Sequence, residues 1–172
     1  MLNGDTLTRH VHRKCLRILY RICGRQALLP ASLEIPLCHD PREHPVCRGG
    51  FADVWKTRYD DREVAAKVLR TSLRSNYERI RKRFFQRFCR EVLTWKALRH
   101  PNVLPLLGVT MTETQFVMVS EWMVKGNINE FVKEDSNADR LGLLGDVVRG
   151  LIYMHDQGVI HGDLKGVCFC IL

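Results

Sequence analysis

One acidic residue on the apolar side of a long helical pattern constrains this chain more than any other feature. Apolar residues recur at Tyr77, Ile80, Phe84, Phe88, Val92, Trp95 and Leu98, which is helical spacing over roughly residues 77–99. Glu91 lies between Phe88 and Trp95, at three and four residues from them, so it shares their inward face. A carboxylate in that position costs free energy unless a cation meets it. The short apolar strand pattern Val64-Ala65-Ala66-Lys67 ends in such a cation. A lysine held by a glutamate in this way can place its ammonium on the phosphates of a nucleotide. Taken alone, Glu91 also reads as an edge-of-face residue in a basic helix; the motifs around it favour the pair.

Those motifs run in order. Gly49-Gly50-Phe51-Ala52-Asp53-Val54 is a glycine-containing turn, and Asp60-Asp61-Arg62 is a turn between two strands. His100-Pro101-Asn102-Val103-Leu104-Pro105-Leu106-Leu107-Gly108 leads into a strand over 103–110, where Pro105 implies a sheet edge or a bulge. A short apolar strand over 115–120 precedes Glu121-Trp122-Met123, and His161-Gly162-Asp163-Leu164-Lys165-Gly166 closes the series.

Over residues 46–166 this series resembles the protein-kinase family. Its wording is similar to the tyrosine-kinase-like Ser/Thr kinases and, within them, to the large set found in mushroom-forming fungi. The resemblance implies an α+β fold. An N-lobe of about five antiparallel strands plus the glutamate helix is followed by a hinge and the first helices of an incomplete C-lobe. It also implies ATP and Mg²⁺ as cofactors and a protein hydroxyl as substrate. Gly49 and Gly50 look like the loop over the phosphates, Lys67 like the phosphate-binding lysine and Glu91 like its partner. Val54 and Ala65 would cover one adenine face, with Ser120 the small residue guarding the back pocket. Glu121 and Met123 would hold the adenine edge through backbone groups, and Asn127 would lie near the ribose. Asp163 looks like the catalytic Asp, and Lys165 like the lysine on the transferred phosphate.

The chain departs from the family's pattern in several places. Of three expected loop glycines, aligned on Val54, only Gly49 is kept; Cys47 and Ala52 hold the others. Gly162 stands where an arginine usually pairs with a phosphorylated activation loop, which suggests control without that phosphate. Cys168 occupies the place of an asparagine that helps hold Mg²⁺, and a soft thiol is a poor ligand for that ion. The match ends at Gly166, within the catalytic loop, and no Asp-Phe-Gly follows. The expectation is negligible phosphoryl transfer by this chain alone, with the metal ligands largely missing. Val167 to Leu172 read as translation into an intron, with a real short form as the competing idea.

The remainder is read as residues 1–28, a basic amphipathic helix; 29–45, a proline-containing linker; 46–120, the N-lobe; and 121–172, the hinge and start of the C-lobe. In the first segment Arg9, Arg13, Lys14, Arg17, Arg21 and Arg25 take one side of a helical projection, and Val11, Cys15, Ile18, Leu19 and Ile22 the other. That helix either packs on its own lobe or docks on an acidic partner, a membrane surface or a neighbouring domain. A helix over 141–156 carries an apolar stripe at Leu141, Leu144, Val148, Leu151 and His155, widened by Val147 and Met154, and an exposed apolar patch is expected there. No run reaches the length of a membrane span, and the N-terminus lacks a signal-peptide layout. Seven scattered cysteines fit reduced thiols, so a cytoplasmic protein is expected. His10 and His12 read as solvated surface, and His161 as a structural residue under the loop.

Three functions compete: an ATP-dependent Ser/Thr kinase domain, a non-catalytic pseudokinase-like lobe that binds a regulatory protein, and a nucleic-acid binder. The net charge of +8 suggests the last. Without interleaved stacking aromatics or a recognisable motif, no nucleic-acid partner is expected.

Overall fold

A computed structural model of the chain describes residues 28–37, 44–50, 52–70, 78–112, 115–162 and 164, with isolated positions between 8 and 26. Strands β1 (Cys47–Arg48), β2 (Ala52–Tyr59), β3 (Arg62–Leu69), β4 (Leu106–Met111) and β5 (Phe116–Glu121) form one antiparallel sheet in the order β1-β2-β3-β5-β4. An N-terminal helix is described at isolated positions between 8 and 26, and three helices have described bounds: α1 (Glu78–Ala97), α2 (Ile128–Glu134) and α3 (Arg140–Asp156). This is the α+β arrangement expected from the sequence.

The turns follow from their residues. Asp60 and Asp61 sit at φ 49° and 58°, the two left-handed positions of a tight hairpin, with Tyr59 opposite Arg62. Aspartate tolerates that conformation better than most side chains. Pro105 falls just outside β4, which starts at Leu106. Both consequences expected of it are present: β4 is an edge strand, and its register with β5 shifts between Leu106 and Gly108.

Residues directly opposed in antiparallel strands share a face, as do residues two apart in one strand. Val54 opposes Lys67, Lys67 opposes Met118, and Ala65 opposes Ser120. These five side chains therefore lie on one face of the sheet. Helix α1 crosses that face and buries Phe88, Cys89, Val92 and Leu93 against Leu106, Val109, Phe116 and Met118. Phe84, Phe85 and Phe88 surround the Phe116 ring at centroid distances of 5.8, 5.4 and 5.1 Å. Each such side chain contributes about 1.5–3 kcal/mol by leaving water. Ile80, expected on the same stripe, is exposed instead. Spacing identifies the face of a helix but not how far along it the cover extends.

The opposite face carries Val64, Ala66, Val117 and Val119, all buried. Ile35 and Leu37, within the segment expected to be a linker, supply part of its cover with Trp55, Tyr59, Val68 and Leu107, while Leu29 and Leu33 join the core under α1. Residues 29–37 do not hang free. A 3₁₀ turn at Ala31–Leu33 buries Leu33, and Ile35 and Leu37 pack on the valine face. Ile35 N–H donates to Val109 O at 2.9 Å, and Thr110 Oγ1 donates to Ile35 O at 2.7 Å. Glu34 bridges Val109 in parallel, so the open edge of β4 is capped. A side chain at Gly108 would meet Leu33 O at 2.7 Å, which is why glycine stands at this crossing.

Helix α3 docks on the loop after α1 through Asp146, Gly150 and Tyr153. Asn102 Nδ2 donates to Asp146 Oδ1 at 2.8 Å, and Arg99 N–H donates to the Tyr153 hydroxyl at 2.8 Å. The Tyr153 ring stacks on His100 at 4.9 Å. Gly150 admits the Asn102 carbonyl, which would stand 2.7 Å from a β-carbon there. The seven-residue apolar stripe expected on this helix is thus split. Val147, Leu151 and Met154 line an internal cleft, while Leu141, Leu144 and Val148, joined by Ile152, are exposed.

Candidate functional site

Lys67 Nζ donates to Glu91 Oε1 at 3.1 Å, across 24 residues of chain. Strand β3 presents the lysine on the face that α1 crosses, and α1 turns Glu91 toward it. The helix contributes Phe88 and Val92 to the core on either side of the glutamate, which fixes its rotation. The pair is open to solvent at 39% and 48% of its side-chain surface, so a ligand can reach the ammonium. Screened to that degree, the ion pair adds about 0–1 kcal/mol to stability. Its value lies in position.

Around Lys67 the sheet register assembles the other expected residues. Val54 and Ala65 are half-buried on the same face, and Ser120 is buried beside them. Ser120 is the buried polar residue among the described ones, and its hydroxyl reaches Glu121 O at 3.5 Å. At the end of β5, Trp122 N–H donates to Glu63 O at 3.3 Å. Bonded pairs alternate along an antiparallel ladder. Glu121, opposite Val64, is therefore a non-bonded position whose backbone N–H and C=O point away from β3. Met123 O accepts from Gly126 N–H at 3.1 Å, closing a turn that leads to α2.

Asn127 has a second task. Its Oδ1 accepts from Asn129 N–H at 3.1 Å and Glu130 N–H at 3.2 Å, while Glu130 Oε2 accepts from Asn127 N–H at 3.2 Å. This reciprocal cap starts α2 and commits the Asn127 amide oxygen.

The glycine loop is a hairpin turn between β1 and β2. Gly49 N–H donates to Ala52 O at 2.9 Å, and a β-carbon at Gly49 would stand 3.0 Å from that same oxygen. At Gly50 a β-carbon would meet nothing within 4 Å. Cys47, placed by alignment at a lost loop glycine, is a strand residue opposite Val54. An ion pair missed by sequence reading braces this hairpin. Arg70 Nε donates to Asp53 Oδ2 at 2.9 Å and Nη2 to Oδ1 at 2.5 Å. Hydrogen bonds from Arg70, opposed by desolvation and helped by the charges of Arg70 and Arg48, hold the Asp53 carboxyl below its ordinary range. Asp53 and Arg70 lie 17 residues apart, and only the β2–β3 register reveals that Asp53 opposes Val68, two residues from Arg70.

Beneath α1 a cavity of about 770 Å³ joins the two parts of the chain. Lys67 and Glu91 lie on its wall with Arg87 and Arg90, Met154 of α3 lines it, and His161 closes the series. Gly162 has φ 76°, a left-handed conformation that a branched or long side chain would strain, and this accounts for glycine at that place. Asp163 and Lys165 lie outside the described residues. So do Phe51 and Cys168.

The protein kinase domain family matches residues 42–169, which is more than half of the chain, and the chain belongs to that family. It is similar to the serine/threonine-protein kinase STY46 of Arabidopsis thaliana, 29% identical over 77% of this chain and 23% of that protein. It is also similar to the dual specificity protein kinase zakA of Dictyostelium discoideum, 35% identical over 67% of this chain and 16% of that protein. The serine/threonine/tyrosine-protein kinase HT1 of Arabidopsis thaliana is 30% identical over 68% of this chain and 31% of its own length. The chain thus spans less than a third of each of these relatives. Among the described residues, no helix is long and apolar enough to cross a membrane.

The donors can be weighed against the groups this family uses. For ATP the fit is good: a solvent-reachable ammonium, fixed by a carboxylate, shares a sheet face with small and apolar side chains. For Mg²⁺, no group of three His, Cys, Asp or Glu among the described residues could hold the ion, and by the sequence alignment a soft thiol, Cys168, falls where the family has an asparagine.

Proposed function

We propose that residues 46–120 are the ATP-binding lobe of a Ser/Thr-type protein kinase, and that residues 121–172 supply its hinge and the start of its second lobe. ATP supplies the phosphoryl group when bound. Lys67 holds phosphate oxygens with its ammonium, and Glu91 keeps that ammonium in place. Val54 and Ala65 cover one side of the base, Ser120 keeps the back of the pocket small, and the backbone of Glu121 and Met123 meets the adenine edge. Gly49 and Gly50 let the β1–β2 turn approach the phosphates. Asn127 lies near the ribose. Asp163 accepts the proton of a protein hydroxyl, and Lys165 steadies the transferring group.

The observation that carries this reading is the Lys67–Glu91 pair on one sheet face with Val54, Ala65 and Ser120. Positioning and electrostatics supply most of the rate in phosphoryl transfer. Cys168 weakens the metal's hold, so these 172 residues bind ATP but transfer phosphate negligibly. The scattered cysteines, read as reduced thiols, support a cytoplasmic location. A non-catalytic regulatory lobe is the second reading, favoured by the exposed line Leu141, Leu144, Val148 and Ile152 on α3.

A fluorescent ATP analogue tests the first step. Wild-type chain should bind it, and Lys67→Met should lose at least about tenfold in affinity, the removal of one charge-assisted contact. Equal affinity in the two proteins would refute the assignment of Lys67. Phosphorylation of a generic protein substrate by the wild-type chain would refute the inactivity.

A further inference from the structure

The N-terminal helix holds out an apolar line that is exposed among the described residues. One of its faces is seated: Cys23 is buried in the same core as Cys89, Val92 and Leu93, Leu19 packs against it, and Leu16 faces Leu33 and Leu93 across a narrow crevice. Val11, Ile18 and Ile22 are 51%, 57% and 52% exposed, and Cys15 is an exposed free thiol. The spacing of four, three and four residues keeps these side chains in one line along a helix. A surface helix ordinarily buries its apolar stripe on its own protein. This helix has one stripe buried and a second in water.

Charge indicates what covers the second stripe. From Thr6 to Leu33 the sequence contains no aspartate or glutamate, yet it contains Arg9, Arg13, Lys14, Arg17, Arg21 and Arg25. On neighbouring α1, Arg79, Lys82, Arg83 and Arg87 are exposed, extending the positive field. A second copy of the chain would set two such cationic helices against each other. The exposed line contains only Val, Cys and Ile. These are short side chains that enter a shallow apolar layer rather than the deep pocket of a protein hot spot, where Trp, Tyr and Arg dominate.

We propose that this helix lies flat on an anionic lipid surface. Val11, Cys15, Ile18 and Ile22 enter the boundary between head groups and acyl chains, and Lys14, Arg21 and Arg25, nearest that line at helical spacing, meet the acidic head groups. Leu16, Leu19 and Cys23 tie the helix to the lobe, so the nucleotide cleft is carried to the membrane with it. The anionic leaflet of a cell faces the cytoplasm, which agrees with reduced cysteines. This inference does not depend on ATP binding or phosphoryl transfer.

Co-sedimentation of the full chain with vesicles tests it. Binding to phosphatidylcholine vesicles containing phosphatidylserine should be at least about tenfold tighter than to phosphatidylcholine alone, and should fall as salt is raised. Ile18→Asp should weaken it about tenfold by placing a charge in the apolar layer. The double variant K14Q/R25Q, which removes the cations nearest that line at helical spacing, should weaken it to a similar degree. Each variant is checked by circular dichroism for an unchanged melting temperature, and Ile22→Asp replaces Ile18→Asp if the latter unfolds. Equal binding to both vesicle types, binding to neither, or full binding by the aspartate variants would overturn the proposal. So would capture by an acidic peptide with no affinity for vesicles, which would assign the face to a protein partner.

Discussion

Lys67 Nζ and Glu91 Oε1 stand 3.1 Å apart, joined by a strand and a helix whose packing is otherwise apolar. Neither side chain is buried, so the pair does little to hold the fold together. Its geometry is nonetheless set by buried neighbours, Met118 opposite Lys67 and Phe88 and Val92 flanking Glu91. The core thus acts as the jig for a polar contact at its rim.

Glu91→Ala should separate these two roles. Lys67 loses the partner that orients it, and affinity for an ATP analogue should fall severalfold. Stability should change by only about 0–1 kcal/mol, because the pair is solvent-screened. Analogue titration beside urea denaturation checks both. A large loss of stability with unchanged affinity would make the pair structural.

Gly108→Val should destabilise the chain by about 1–3 kcal/mol, as overpacking does. The added carbon meets the Leu33 carbonyl at 2.7 Å and Ile35 Cγ2 at 2.8 Å. Part of that obstacle is backbone, so residues 33–35 must lift from β4. A lower urea midpoint, with faster amide exchange at Ile35, is the expected readout.

Acid should loosen the β-hairpin that carries the glycine loop. Hydrogen bonds from Arg70 lower the Asp53 carboxyl below its ordinary 3.8 in the folded chain. Hydrogen bonds from Arg149, and then from Asn102, lower Asp146 in the same direction. A depressed folded value means the unfolded state binds more protons. The stabilisation is therefore fully present above the ordinary value and is lost as pH falls through the lowered one. The melting temperature should drop across that acidic window, and D53N/D146N should flatten the drop.

Thiol labelling should divide the cysteines. Desolvation, with a smaller effect of nearby Cys23, pushes the Cys89 thiol up to about 12, and burial also raises Cys23. Cys15 and Cys47 are exposed. The thiolate is the reactive form. Iodoacetamide at neutral pH should modify Cys15 and Cys47 in the native chain and reach Cys23 and Cys89 only after denaturation, as read by mass spectrometry.

Much of the fold was legible from local patterns. Helical periodicity located α1 to within two residues at its C-terminal end, and the Asp60-Asp61 turn with the apolar run ending at Lys67 located the β2–β3 hairpin. The Glu91 argument also worked from sequence, because a carboxylate on an apolar stripe needs a cation and Lys67 was at hand. What was missed depends on the register of strands or on which surface covers which. The Asp53–Arg70 pair needed the former. The docking of residues 33–37 on β4, the exposure of Ile80 and the split stripe of α3 needed the latter.

Sequence alone determined α1, the hairpin at Asp60-Asp61 and the pairing of Lys67 with Glu91, because periodicity and turn chemistry act over a few residues. Tertiary structure alone decided that Gly108 and Gly150 mark crossings of backbone, and that the N-terminal helix keeps one apolar line in water. Those outcomes depend on distances between segments far apart in the chain, and such distances are set only when the whole apolar surface packs together.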